Sequence, residues 1–170
     1  MRIPLAFALL SLAFSSCSTP PEPATKLQKA AVLPLEINDK FQFRKIKQAY
    51  FTVGRAPATD SEPVLFERQR LEWGAVDRYQ LQQRYGNYYT FFWRTSEQAD
   101  VTVRMEYRQA ALGNYVMAME RYYPQAKGSY RSEFSTAGDD YWENGRVTSW
   151  RVLLIVDGRI VALRQSFMWR

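Results

Sequence analysis

The fold of this chain is decided near its C-terminus, by Val147-Thr-Ser-Trp-Arg-Val-Leu-Leu-Ile-Val156, then Asp157-Gly158, then Arg159-Ile-Val-Ala-Leu-Arg-Gln165. Two runs rich in β-branched and aromatic residues flank an Asp-Gly pair. This is the strongest short-range signal for a β-hairpin, because a type I′ turn needs two residues that tolerate a positive φ. The sequence therefore predicts a hairpin over residues 147–168 with a two-residue turn.

A hairpin that pairs Val156 with Arg159 also predicts which side chains share a face. One face collects the apolar residues Trp150, Val152, Leu154, Val161, Leu163 and Phe167. The other face is apolar near the turn, so we expect the turn end to be covered on both sides. At the far end Arg151 lies opposite Arg164, and opposed like charges require an acidic partner on a neighbouring strand or an anionic ligand. A bulge would shift this register and exchange the faces of the second strand.

The chain from residue 41 onward shows short apolar runs separated by turn residues. Strands are predicted at Tyr88–Thr95 and Val101–Arg108. Over Gln109–Tyr123 the apolar spacing fits either a helix or a strand, and Gly113-Asn114 favours a turn followed by a strand, with the helix as the alternative. In Val101–Arg108 the odd positions are apolar, which predicts one core face and one solvent face. Asp77–Arg84 is predicted as a polar strand and Gly138–Gly145 as a loop.

These runs predict an all-β fold, with residues 41–170 forming a single antiparallel β-sandwich of about 7–9 strands. A closed barrel is the alternative. The layout resembles immunoglobulin-like and fibronectin type III domains, in architecture alone.

Composition excludes several chemistries. The chain has 170 residues, of which 46% are hydrophobic and 15% aromatic, enough for a substantial core. It has no histidine, the usual general base and metal ligand near neutral pH, and one cysteine, so no internal disulfide can form. Without a nucleophile elbow or a phosphate-binding glycine loop, we expect neither an enzyme nor a cofactor-binding or metal-binding protein.

The N-terminus carries a targeting signal. Met1-Arg2 precedes an apolar run from Ile3 to Phe14, too short to span a bilayer as a permanent helix, so residues 1–16 are predicted to be a signal peptide. Phe14-Ser15-Ser16-Cys17 resembles the lipobox of bacterial lipoproteins. The resemblance implies acylation of Cys17, and Ser18 after it implies the periplasmic face of the outer membrane. Ordinary secretion with a free thiol and an uncleaved anchor are the alternatives.

Residues 17–40 are predicted to be the lipidated cysteine and a proline-rich tether. Beyond the tether, the richest loop is Asp139-Asp-Tyr-Trp-Glu-Asn-Gly145. Its acids do not have the spacing of a calcium loop, so no metal site is predicted. Tyr141 and Trp142 are candidates for seating a sugar, and Arg151 and Arg164 for holding an anion.

These features predict a lipoprotein of the cell envelope that binds or scaffolds without catalysis. Its expected partners are the membrane, through its lipid anchor, and another envelope protein. The alternative is a module that binds an acidic envelope polysaccharide. Nucleic acid is excluded as a partner, because an exported protein seldom meets it.

Overall fold

The computed structural model describes residues 23–52, 61–63, 66, 75 and 77–169, and these form one antiparallel sheet of six strands. The all-β prediction is therefore confirmed. The strands are β1 (Thr25–Leu27), β2 (Phe41–Phe51), β3 (Gly86–Gln109), β4 (Met117–Ala137), β5 (Val147–Val156) and β6 (Arg159–Gln165), and the helices are α1 (Arg78–Gln82) and α2 (Asp139–Asn144). No helix in the described ranges is long and apolar enough to cross a bilayer. The predicted signal peptide and Cys17 lie outside the described residues.

Two long strands organise the sheet. β3 has 24 residues and merges the two strands predicted at Tyr88–Thr95 and Val101–Arg108, and β4 has 21 residues. β4 follows β3 along its length, whereas β2 pairs with the beginning of β3 and β5 with its end. We call β2 and the strand segments 86–95 and 128–137 the first half of the sheet. β1, β5, β6 and the segments 99–109 and 117–126 form the second half.

The two halves meet where the pairing of β3 with β4 shifts register, between Thr95 and Val101. Gln125, on β4, has a φ of 46°, an uncommon value for a non-glycine residue. Its backbone N–H donates to Asp100 Oδ1 at 2.7 Å, and this hydrogen bond lowers the pKa of the Asp100 carboxyl. The Asp100 side chain thus stabilises the irregular backbone at the register shift.

A single core lies between the two halves. The buried residues that face it from both halves include Phe91, Trp93, Val103, Met105, Val152 and Leu154. Trp150 of the second half packs on Phe91 of the first, with 5.5 Å between ring centroids. We call the face toward this core the inner face of each half and the opposite one the outer face.

The C-terminal hairpin is confirmed, but its predicted register is wrong beyond the turn. Val156 pairs with Arg159, and Asp157 and Gly158 have φ values of 49° and 71°, as a type I′ turn requires. After Ile155↔Ile160 the pairing shifts by one, so that β6 contributes one extra residue. The turn end is nevertheless buried on both faces, as predicted.

The bulge corrects two predictions for β6. Leu163 packs with Leu153 on the outer face, not with the inner-face residues expected from a regular ladder. Arg151 pairs with Gln165, and Arg164 pairs with Val152, so the predicted Arg151–Arg164 pair does not exist. The inference of an anion site from that pair falls with it.

Two predicted elements have a different secondary structure. Asp77 caps α1 by accepting a hydrogen bond from Gln80 N, so most of the predicted strand Asp77–Arg84 is helical. The predicted loop 138–145 contains α2, whose first turn begins with two aspartates that favour a helix N-terminus. In the first segment a side-chain cap favours the helix, and in the second the favourable residues are the aspartates of the first turn.

Candidate functional site

The segment 28–38, here called the strap, crosses the outer face of the second half. β1 pairs with β4 at one side of the sheet, and the strap then reaches β6 at the other side, where Leu35 forms a parallel bridge with Ile160. Ile160 N donates to the Pro34 carbonyl at 2.8 Å, and Glu36 N donates to the Ile160 carbonyl at 2.9 Å. The folded part therefore includes residues that the sequence assigns to the tether.

A charged network lies beneath the strap. Arg104 and Glu106 of β3 are only 6% and 4% exposed, which contradicts the predicted solvent face of this strand. Arg104 Nε donates to Glu120 Oε1 at 2.5 Å, and Arg104 Nη1 donates to the carbonyl of Ala31 in the strap at 2.8 Å. Arg151 Nε donates to Glu106 Oε2 at 2.6 Å. Each buried charge thus has an opposite charge beside it, as burial requires.

The strap and the network enclose a groove of about 510 Å³. Its charged lining comes from Lys29, Arg104, Glu106 and Arg151. Its apolar rim comes from Val32, Leu35, Tyr115 and Val116. All four rim residues are exposed, and Val32 is 100% exposed. A groove with a charged lining and an exposed apolar rim is suited to binding, since exposed apolar patches mark interaction sites.

Of the predicted arginine pair, only Arg151 belongs to this site. Its acidic partner is Glu106 on the neighbouring strand, one of the two explanations that the sequence left open. Its guanidinium also lies 5.0 Å from the ring centroid of Trp169, which Arg108 approaches at 4.5 Å. Arg164 is exposed, and its β6 neighbour Gln165 is the residue that faces Arg151.

Tyr141 and Trp142 belong to a different part of the surface. Trp142 is 49% exposed, and its Nε1 donates to the Gln82 carbonyl at 3.1 Å. Its ring makes edge contacts with Tyr85 and Tyr141, and Tyr85 stacks on the buried Phe51. The four rings form a continuous aromatic row that leads from the core to the surface.

The carboxylates of α2 are engaged by protein side chains. Asp139 Oδ1 accepts a hydrogen bond from Gln83, and Asp140 binds Lys26 of β1 at 2.8 Å and Asn144 at 2.9 Å. Within the described residues, no group of three or more acids, cysteines or histidines has the arrangement of a metal site. Asp140 thus attaches β1 to α2, and Asp139 attaches the helix to Gln83.

The core also contains a polar cluster at its α2 end. Asn87 Oδ1 accepts a hydrogen bond from Val147 N, and Gln109 Nε2 donates to the carbonyls of Asp140 and Gly145. Burial raises the pKa of Tyr107, and the charge of Asp140 raises it further. Tyr107 is therefore neutral throughout the physiological pH range.

Sequence reasoning missed Arg104, Glu106 and Glu120 as members of the site. The relevant signal was the apolar content of the strap, where Leu33 packs on the outer-face cluster of Leu153 and Ile160. An apolar run inside a supposed tether indicates that the segment docks on the domain. Comparisons with protein-family models, curated proteins and solved structures find no match.

Proposed function

We propose that this chain is a lipid-anchored protein of the cell envelope that binds another envelope protein through the groove under the strap, without catalysis. Acylation of Cys17 and a place on the periplasmic face of the outer membrane are parts of the same proposal, and they rest on the lipobox-like sequence. We also propose that the domain is a β-sandwich in the architectural sense of immunoglobulin-like domains, since its two halves pack across one core.

The exposed apolar rim of the groove is the observation that carries this proposal. Val32 and Leu35 from the strap, and Tyr115 and Val116 from the turn before β4, surround one groove. Four exposed apolar residues at one place are unfavourable unless another surface covers them. The partly exposed Arg151 beside them supplies polar selectivity, since arginine and tyrosine are enriched at protein interfaces.

The rim can be tested by site-specific photo-crosslinking in cells. A photoreactive residue replaces Val32 in the full-length protein, and the control carries it at Tyr79, an exposed aromatic residue of α1. We expect a discrete crosslinked product from position 32 and none from position 79. Adding Tyr115→Asp to the position-32 protein should remove the product, because a charge on the rim opposes burial. Identical patterns at the two positions would exclude the groove as the contact site.

The second candidate function is binding of an acidic polysaccharide, and the half-exposed Trp142 favours it. A surface ring supported by other rings is a rigid platform on which a sugar can stack. We expect Trp142→Ala to weaken retention on an immobilised acidic polysaccharide by about tenfold, the effect of losing roughly 1.4 kcal/mol of contact energy. Tyr79→Ala is the matched control. Equal retention of wild type and Trp142→Ala would leave only the protein-binding proposal.

A further inference from the structure

The outer face of the first half carries a concentration of positive charge. The register places on it Gln42, Lys45, Lys47, Ala49 and Phe51 of β2; Gly86, Tyr88, Thr90, Phe92 and Arg94 of β3; and Ser129, Arg131, Glu133, Ser135 and Ala137 of β4. Four of them are cationic and one is acidic. We call Lys45, Lys47, Arg94 and Arg131 the basic face.

The side chains of the basic face are exposed, and Glu133, the one acid that the described strands place on this face, neutralises little of the charge of Arg131. Glu133 lies 3.5 Å from Arg131, and both side chains are substantially exposed, so the pair is screened by solvent. Lys45 and Arg131 flank Phe92, which is half-buried at the centre of the face. Three adjacent strands thus present a cationic surface around one aromatic ring.

The direction of β1 relates this face to the N-terminal anchor. β1 runs antiparallel to β4, with Thr25 opposite Glu120 and Leu27 opposite Ala118. The chain before Thr25 therefore points along β4 toward the half of the sheet that carries Arg131. From Cys17 to Pro23 there are six residue steps, which span at most about 20 Å when fully extended.

We propose that the basic face docks on the anionic phospholipid headgroups of the membrane that holds Cys17. This inference rests on the proposed acylation of Cys17, because the short connection then keeps the domain at the bilayer. Each lysine or arginine near an anionic surface adds attraction that fades within about 8 Å, the Debye length at physiological salt. The inner faces of both halves point into one core, so docking the first half turns the outer face of the second half, with its groove, away from the lipid.

Amine labelling of the natural lipidated protein tests this docking. The protein is inserted into nanodiscs of phosphatidylcholine alone or mixed with phosphatidylglycerol, and acylation of each lysine is read by mass spectrometry. Lys29, which lines the groove on the other half, is the internal reference. We expect labelling of Lys45 and Lys47 relative to Lys29 to fall about tenfold in anionic discs. It should recover at high salt and stay unchanged in neutral discs.

Two double charge-reversal variants distinguish an effect of the basic face from an effect of the net charge of the protein. Arg94→Glu with Arg131→Glu should abolish the protection of Lys45 and Lys47. Arg146→Glu with Arg164→Glu changes net charge equally at exposed positions outside the basic face, and should preserve the protection. Equal loss in both double variants, or equal labelling in both kinds of disc, would overturn the proposal.

The same mass spectra show whether Cys17 is acylated, so a wrong prediction for the anchor can be distinguished from a wrong prediction for the basic face. An unmodified Cys17 would refute the acylation in the proposed function. That protein is then sedimented with vesicles of the two compositions. Binding to anionic vesicles that Arg94→Glu with Arg131→Glu abolishes would still support the basic face, and no binding would overturn it.

Discussion

Replacing Arg104 with methionine should lower the free energy of unfolding by about 3 kcal/mol, the lower end of the cost of breaking a buried ion pair. Methionine has a similar length and no hydrogen-bond donor, so the carbonyl of Ala31 and Glu120 each lose a hydrogen bond. Glu106, 4% exposed, then keeps Arg151 as its neighbouring cation. Urea unfolding at one pH measures the effect as a lower midpoint with an unchanged slope.

Arg159→Met is the matched control, because Arg159 also contacts the strap, through the Glu36 carboxylate, but on the surface. We expect it to shift the unfolding midpoint much less than Arg104→Met does, because solvent screens an exposed ion pair. Arg104→Met combined with Glu120→Leu should cost less than the sum of the two single substitutions, since the carboxylate that Arg104 binds at 2.5 Å is removed with it. If the two substitutions prove additive in a double-mutant cycle, Arg104 and Glu120 do not act as one network.

The sequence predicts the hairpin well because its turn is a local property. Asp157-Gly158 alone determines a type I′ turn and hence the pairing of Val156 with Arg159. The bulge beyond Ile160 depends on packing against both the core and the strap. No pattern within β6 signals it, and one extra residue is enough to move Leu163 to the other face.

The candidate site was harder to predict because it depends on which surface the strap covers. Alternation in Val101–Arg108 correctly separates an apolar face from a polar one, since Val101 and Val103 are buried in the core. Alternation does not show whether the polar face is exposed to solvent or covered by another segment. Arg104 and Glu106 are buried by a segment more than seventy residues away in sequence, as the separation of 73 between Ala31 and Arg104 shows.

The merging of strands has a similar origin. Tyr88–Thr95 and Val101–Arg108 are both predicted as strands, and both are extended in the structure. The residues between them include Ser96, Glu97 and Gln98, which read as a connection, yet they continue β3 through its register shift. Whether polar residues end a strand or continue it through an irregular register depends on the partner strand, here β4.

Trp150→Ala should destabilise the protein by about 3 to 5 kcal/mol, the usual cost of removing a buried aromatic side chain. Trp150 is 6% exposed and stands on β5, in the second half of the sheet. Its ring lies 5.9 Å from that of Tyr89 and 5.5 Å from that of Phe91, both in the first half. Alanine would leave a cavity between the two halves.

Trp142→Ala is the control, because it removes a tryptophan that does not pack between the two halves. Trp142 is half exposed, and its one indole hydrogen bond predicts a cost of about 1 kcal/mol. Urea unfolding compares the free energies of unfolding of the two variants, and amide hydrogen exchange shows which strands lose protection. Since Trp150 joins the halves, its loss should speed exchange in the first half of β3, where Tyr89 and Phe91 lie, as well as in β5. Acceleration confined to β5, or equal costs for both variants, would show that the two halves are not held together through this ring.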